Sequence, residues 1–404
     1  MIEDDIYRSS SQYRLWSYTR ESLARIRQET NELAAQRVRA AFRRARSAQN
    51  GGPHGGDEGD AAAAATTGDT VIDTLTVEEE LKIVEWGCSK IVDMGEAMNP
   101  RIPSHVVATA TQYLRRFYLT QSPMTYHPKA VLPSALYLAT KADHFYLPLS
   151  RFVAELHNIS EDDVKAPEFL LLQGLRFTLD VRHPMKGLQG GHVEMNVLAE
   201  EGKLGAIEPG RGSEKRIGVA ADQAKKLLAT AAQLTDAYFL FTPSQIWLGA
   251  LMVADRDLCE AYLNYKFEAI VDAVERQAGS QTSDVDIAAL QTKLLATVNS
   301  CAELLQSYTP PEEESATQRK EMRRIGKKLN VCQNPEKTDI VAVARAKAAE
   351  KREGSATGSG SDAEKVAKKR RLERERAERE GDVFGPALKD IPGRDGGMAS
   401  GEGL

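Results

Sequence analysis

Asp236 and Tyr238 place a carboxylate two residues from a phenol, side-chain types that serve as general acids and bases. A carboxylate at a helix end beside a tyrosine more often has a structural role, and no nucleophile or second base accompanies the pair. The four cysteines, Cys88, Cys259, Cys301 and Cys332, lie far apart and form no CxxC pair. That spacing indicates neither a zinc site nor a redox motif, and it fits four reduced thiols in a reducing compartment. The seven histidines include no HExxH and no paired spacing, so no metal is expected. "GVAADQAKK" (218–226) lacks the GxxxxGK[ST] of a phosphate loop and follows no strand, and the glycine pair in "LQGGH" (188–192) has no phosphate context either. No cofactor is therefore expected, and an enzyme ranks well below a binding protein. One separated pair has a different character. Lys141 ends a strongly apolar segment and Glu168 opens another. Taken by themselves, two such charges read as an ordinary ion pair or as two solvated charges.

The elements that position these residues read as helices throughout. Residues 17–46 form an amphipathic, arginine-rich helix without Gly or Pro. "SAQNGGPHGGDEGDAAAAATTGD" (47–69) cannot bury enough apolar surface and reads as a linker. From Thr74 to Phe177 five helices follow. The first starts at Thr76, with Glu79 at capping-box spacing, and Asn99-Pro100 ends it. Ser104 is expected to cap the second, where Val106, Ala110, Leu114 and Phe117 share a face and Arg115 and Arg116 lie off it. The third, through Val131–Ala139, is apolar on several faces and so surrounded by others. A short fourth runs near Leu149–Leu156, and a fifth packs Phe169, Leu171, Leu172 and Leu175.

The second half repeats the plan. Helices are expected through Val193–Ala199, from 214 to 238, from Thr242-Pro243 through Val253, near 258–277 and from 284 to 307. A polar helix within 311–336 and a charged, disordered tail from 337 to 404 complete the chain. The composition, 42% hydrophobic and 27% charged with a net charge of −5, is that of a globular protein with no global nucleic-acid signature. No apolar leader opens the sequence, and no window is apolar enough to span a membrane. "KKRR" (Lys368, Lys369, Arg370, Arg371) reads either as a nuclear import signal or as a solvated charge run.

Several segments resemble the cyclin family, whose fold is a tandem pair of five-helix boxes. "YLRRFYL" (113–119), "ALYLATKADHF" (135–145) and "PEFLLLQGLRFTLDVRHP" (167–184) resemble the second, third and fifth helices of a first box. "LTDAYFLFTPSQIWLGAL" (234–251) and "SSSQYRLWSYTRESLARIR" (9–27) are similar to segments of the cyclin H subfamily. Their order covers residues 9 to about 310. The resemblance implies an all-α chain: an N-terminal helical extension (1–46), a linker (47–72), a first box (73–180), a second box (181–310), a C-terminal helix (311–336) and the tail.

It also implies a non-catalytic regulatory subunit in the nucleus. That subunit would activate the cyclin-dependent kinase of the CDK-activating complex, with a RING-finger assembly subunit and the TFIIH core as further partners. The implied products are phosphorylated CDK activation loops and RNA polymerase II C-terminal repeats. The implied kinase-facing residues are Lys141 and Glu168, with Arg116, Asp143 and Phe145 in the same motifs, and Trp16, Leu23 and Ile26 making flank contacts. Trp86 lies near the substrate-docking patch of some cyclins, but Glu79 stands where that patch needs an apolar residue, so Trp86 reads as core or rim. The alternative is a DNA-binding factor of the TFIIB type, which shares the fold. It needs clustered Lys and Arg on a folded face, whereas the basic residues here sit in the flanks and no zinc ribbon is present, so no direct nucleic-acid contact is expected.

Overall fold

The computed structural model describes residues 3–50, 72–309 and 316–334, except 157, 206, 208, 209 and 278–286. The import cluster 368–371, the tail from 337 and most of the linker lie outside the described residues. Among the described residues every regular element is a helix. The N-terminal extension comprises α1 (Glu3–Ser9), α2 (Ser11–Trp16) and α3 (Arg20–Asn50). The first five-helix unit is built from α4 (Val77–Ala97), α5 (Ser104–Thr120), α6 (Pro128–Ala142), α7 (Leu149–Ala154) and a broken fifth helix, α8 (Glu161–Lys165) and α9 (Glu168–Gly174). The second contains α10 (Met185–Glu200), α11 (Arg211–Ala229), two single turns α12 (Ala231–Leu234) and α13 (Ala237–Leu240), then α14 (Pro243–Ala254), α15 (Arg256–Gln277) and α16 (Ile287–Gln306). The C-terminal helix is α17 (Ala316–Gln333).

Local chemistry sets these boundaries. Thr76 forms a full capping box with Glu79, and Thr242 forms another with Gln245 ahead of Pro243. Ser104 does not cap α5: it is the first helical residue, Pro103 stands at the cap, and no side chain bonds there. The expected 214–238 helix breaks at Thr230 and again at Thr235-Asp236, so Phe239 belongs to a separate turn. Two cores result. One surrounds Ala110, Leu114, Phe117, Ala135 and Leu136; the other surrounds Ile246, Ala250, Leu251, Val298 and Leu305. The close approach of α9 to α5 requires Gly174, since a Cβ there would meet the Phe117 ring at 2.5 Å.

The flanking helices pack together on the first unit. Ala34, Val38 and Phe42 of α3 share a small core with Ile83 and Met124 and with Ile325 and Leu329 of α17. Glu79 fixes α17 by accepting bonds from Arg324 at 2.7 Å and Lys328 at 2.8 Å. Burial alone would raise its pKa, but these cations and the Thr76 backbone N–H outweigh that and hold it below the usual carboxylate range.

Candidate functional site: an outer face on the first box

The site is built from the C-terminus of α6 and both ends of α9. Lys141 and Glu168 meet as an ion pair, with the Lys141 ammonium 5.1 Å from the centre of the Tyr137 ring. Both charges keep substantial contact with solvent, so the pair contributes only about 0–1 kcal/mol to folding and can be exchanged for a partner's groups at little cost. Around it stand large apolar side chains left in water. Phe169 is 62% exposed, Phe177 64% and Tyr146 84%. The Phe169 and Phe177 rings form an edge-to-face contact at 6.3 Å. Backbone geometry presents them: Arg176 and Phe177 take left-handed φ values of 52° and 54° after α9, and His144 takes 58° after α6. Exposed aromatics clustered around a charge pair mark an interaction surface, because burying each ring against a partner would stabilise a complex at no cost to the free fold.

Asp143 and Phe145 stand at the edge of this face. Asp143 is the C-cap of α6 and accepts a 2.6 Å bond from the Thr109 hydroxyl. Phe145 is half-buried against the first core. Arg116 is placed elsewhere. It is 2% exposed and points to the seam between the two units, so it belongs to the interior and does not share the outer face with Lys141. Its guanidinium donates to the Asp180 carbonyl and to Gln12 Oε1, both at 3.2 Å. Burial pushes its pKa down to about 10, which leaves it charged at neutral pH. Phe169 is displaced the other way, from an expected core position to the surface.

Trp16, Leu23 and Ile26 also lie at the seam. Trp16 is fully buried between the guanidiniums of Arg116 and Arg176, each 5.2 Å from its ring, and donates to Thr178 Oγ1 at 2.9 Å. Leu23 packs with Leu119 and Phe239, and Ile26 lies against them. Asp236 is structural: Arg27 grips both carboxylate oxygens at 2.8 and 2.6 Å, and Arg115 reaches one at 2.7 Å. Burial acts to raise its pKa, but Arg27 and Arg115 dominate and hold it below the usual range. Tyr238 is buried against His183, and burial raises the phenol well beyond neutral pH. The four thiols are buried too. Burial lifts Cys88, Cys259 and Cys301 to about 12 and Cys332 to about 11, so none is a nucleophile at neutral pH. Among the described residues no group of acids, His or Cys could hold a metal, and no helix is long and apolar enough to cross a membrane.

The fold agrees with known proteins. The cyclin N-terminal domain matches residues 86–180, and the cyclin C-terminal domain matches residues 183–306. A chain in the structure of the CAK complex from Chaetomium thermophilum bound to ATP-gamma-S superposes with a TM-score of 0.65 at 31% identity, covering 90% of this chain and 98% of that one. The chain belongs to the cyclin family. This cyclin is also 33% identical over 279 residues to Cyclin CCL1 of Saccharomyces cerevisiae, covering 69% of this chain and 65% of that protein's length. It is 29% identical over 185 residues to Cyclin-H of Xenopus laevis, covering 44% and 53%. The structure of the yeast TFIIK (Kin28/Ccl1/Tfb3) complex contains a chain matched at TM-score 0.51 and 27% identity, covering 74% of this cyclin and all of that chain. The expected pair of boxes and the resemblance to cyclin H both stand.

Proposed function

We propose that this cyclin is the regulatory subunit of a CDK-activating kinase module. Its outer face docks a Kin28-type cyclin-dependent kinase and shifts that kinase to its active conformation. The observation that carries this reading is the solvent-exposed Phe169–Phe177 pair beside the Lys141–Glu168 ion pair. On docking, the rings leave water while Lys141 and Glu168 bond backbone groups of a kinase helix. Held in that position, the helix aims its glutamate at the ATP-binding lysine, and that Lys–Glu pair is needed for phosphoryl transfer. The cyclin supplies no reacting group. It supplies differential affinity for the active state, and a hundredfold preference amounts to about 2.7 kcal/mol.

The yeast complex named for Kin28, Ccl1 and Tfb3 supports a three-subunit assembly; in this reading the third subunit is a RING-finger protein and the wider partner is the TFIIH core. Phosphorylation of CDK activation loops and of RNA polymerase II C-terminal repeats in the nucleus follows from that reading. The test uses the purified full chain and a Kin28-type kinase subunit, with a polymerase C-terminal repeat peptide as substrate. Saturable stimulation that Phe169→Ser and Lys141→Glu abolish is expected. Equal stimulation by wild type and both variants would move the kinase contact away from this face.

A further inference from the structure

A hydrogen-bonded chain leaves α5, crosses into the second box and returns to the edge of the outer face. Gln112 Nε2 donates to Gln233 Oε1 at 3.1 Å, and Gln233 Nε2 donates to the Tyr238 hydroxyl at 2.7 Å. That hydroxyl lies 2.9 Å from His183 Nδ1, and His183 Nε2 lies 2.9 Å from the Thr109 hydroxyl. Thr109 in turn reaches Asp143 Oδ2 at 2.6 Å.

One proton arrangement runs consistently from Gln112 Nε2 to Asp143. Tyr238 accepts from Gln233, so its own proton goes to His183 Nδ1. His183 then carries its proton on Nε2 and donates to Thr109. Thr109 gives its one hydroxyl proton to the Asp143 carboxylate, the nearer and charged acceptor, in preference to the His105 carbonyl at 3.1 Å. Every donor points the same way, and the run ends on a negative charge, an arrangement in which successive bonds strengthen one another. Burial holds the imidazole neutral, with its pKa down at about 3, so this arrangement persists at neutral pH. The run joins four helices and the segment between the boxes. Thr109 and Gln112 lie on α5, Asp143 closes α6, His183 lies between the boxes, and Gln233 and Tyr238 lie on the α12 and α13 turns of the second box.

We propose that His183 is a positioning residue for kinase docking: through Thr109 and Asp143 it fixes the end of α6 that carries Lys141, so the second box sets the geometry of a docking face built wholly from the first. This rests on the outer face being the kinase contact. The chemistry singles out the run because it uses a histidine whose two ring nitrogens reach both boxes, and because it terminates two residues from the docking lysine. A hydrophobic seam would hold the boxes together equally well without specifying where Asp143 sits.

Thr109→Val keeps the side-chain shape and removes the last link, whereas Thr109→Ser keeps the hydroxyl. Kinase-subunit affinity of the full chain is measured well below the melting temperature of each variant. Thr109→Val and Tyr238→Phe are each expected to weaken binding roughly 2- to 30-fold. Thr109→Ser is expected to bind like wild type. The double variant Thr109→Val/Tyr238→Phe is expected to be no weaker than the weaker single variant, because both cut one chain. Amide hydrogen exchange at residues 141–145 is expected to quicken in both single variants. Wild-type affinity in Thr109→Val and Tyr238→Phe, or losses that multiply in the double variant, would overturn the proposal. Lys141→Glu and Phe169→Ser run beside them separate the two failures. If these direct-contact variants lose binding while Thr109→Val does not, only the positioning role falls. If they bind like wild type, the docking face and the positioning role fall together.

Discussion

The seam between the boxes and the outer face of the first box use the same side-chain types to opposite ends. At the seam an aromatic ring, Trp16, is sealed between two guanidiniums, and a carboxylate, Asp236, is gripped by two arginines. On the outer face the aromatic pair Phe169–Phe177 stands in water, and Lys141 and Glu168 form a solvated pair. The difference is burial. A desolvated charge must be satisfied within the chain and therefore holds the fold, whereas a solvated charge beside exposed rings stabilises the free protein little and remains available to a partner.

That contrast breaks first at Asp236. Asp236→Asn leaves the nearly buried Arg115 without its counter-charge and is expected to destabilise the fold by about 3–5 kcal/mol, read as a drop in denaturant midpoint. A loss under about 1 kcal/mol would mean that the seam behaves like the surface.

A smaller effect comes from pH. His183 has a folded pKa of about 3 against an ordinary 6.5, so below 6.5 the unfolded chain binds the proton first. Its stabilising contribution is complete above pH 6.5 and is lost as pH falls from 6.5 towards 3, about 2 kcal/mol by pH 5. His127, pushed down to about 4 by burial, adds a loss of the same sign over 6.5 to 4. In urea titrations His183→Gln should therefore lose less stability than wild type between pH 7 and pH 5. Parallel curves would show that His183 is not buried neutral.

Removing residues 1–46 tests the seam from outside. The truncated chain uncovers Leu119 and Phe239, and its kinase activation should weaken. Unchanged activation in the peptide assay would show that the N-terminal extension is dispensable for docking.

The smallest stability effects belong to the outer face. Phe169→Ser, Phe177→Ser and Lys141→Glu should each move the unfolding free energy by under about 1 kcal/mol, while kinase affinity falls at least tenfold. Melting curves and a binding titration on the same samples check both halves.

The helical pattern, the Thr76–Glu79 capping box, the Thr242-Pro243 helix start and the order of the boxes were legible because period and cap chemistry are local. Lys141 and Glu168 were singled out by the family resemblance, and the structure shows them paired with each other. Arg116 and Phe169 were read in reverse for a common reason. Arg116 lies off the apolar face of α5, where a single amphipathic helix would expose it, but α2 covers that side and makes it interior. Phe169 lies in an apolar run, but the fifth helix is broken into α8 and α9, and its short second half turns that position outward. Both outcomes depend on what packs across the helix, which periodicity along the helix does not encode. Two aromatics bracketing the α9 segment, at Phe169 and Phe177, were the available signal for the face. The broken 214–238 helix was missed because Thr230 and Thr235 interrupt it without Gly or Pro.

The most direct test is the affinity of a Kin28-type kinase subunit for the Phe169→Ser/Phe177→Ser double variant, set against Asp236→Asn at a temperature where both remain folded. The account predicts that the aromatic variant melts like wild type and loses kinase binding, while Asp236→Asn melts early and, once folded, still binds. Retained binding by the aromatic variant, with loss in Asp236→Asn, would contradict it and place the kinase contact at the seam.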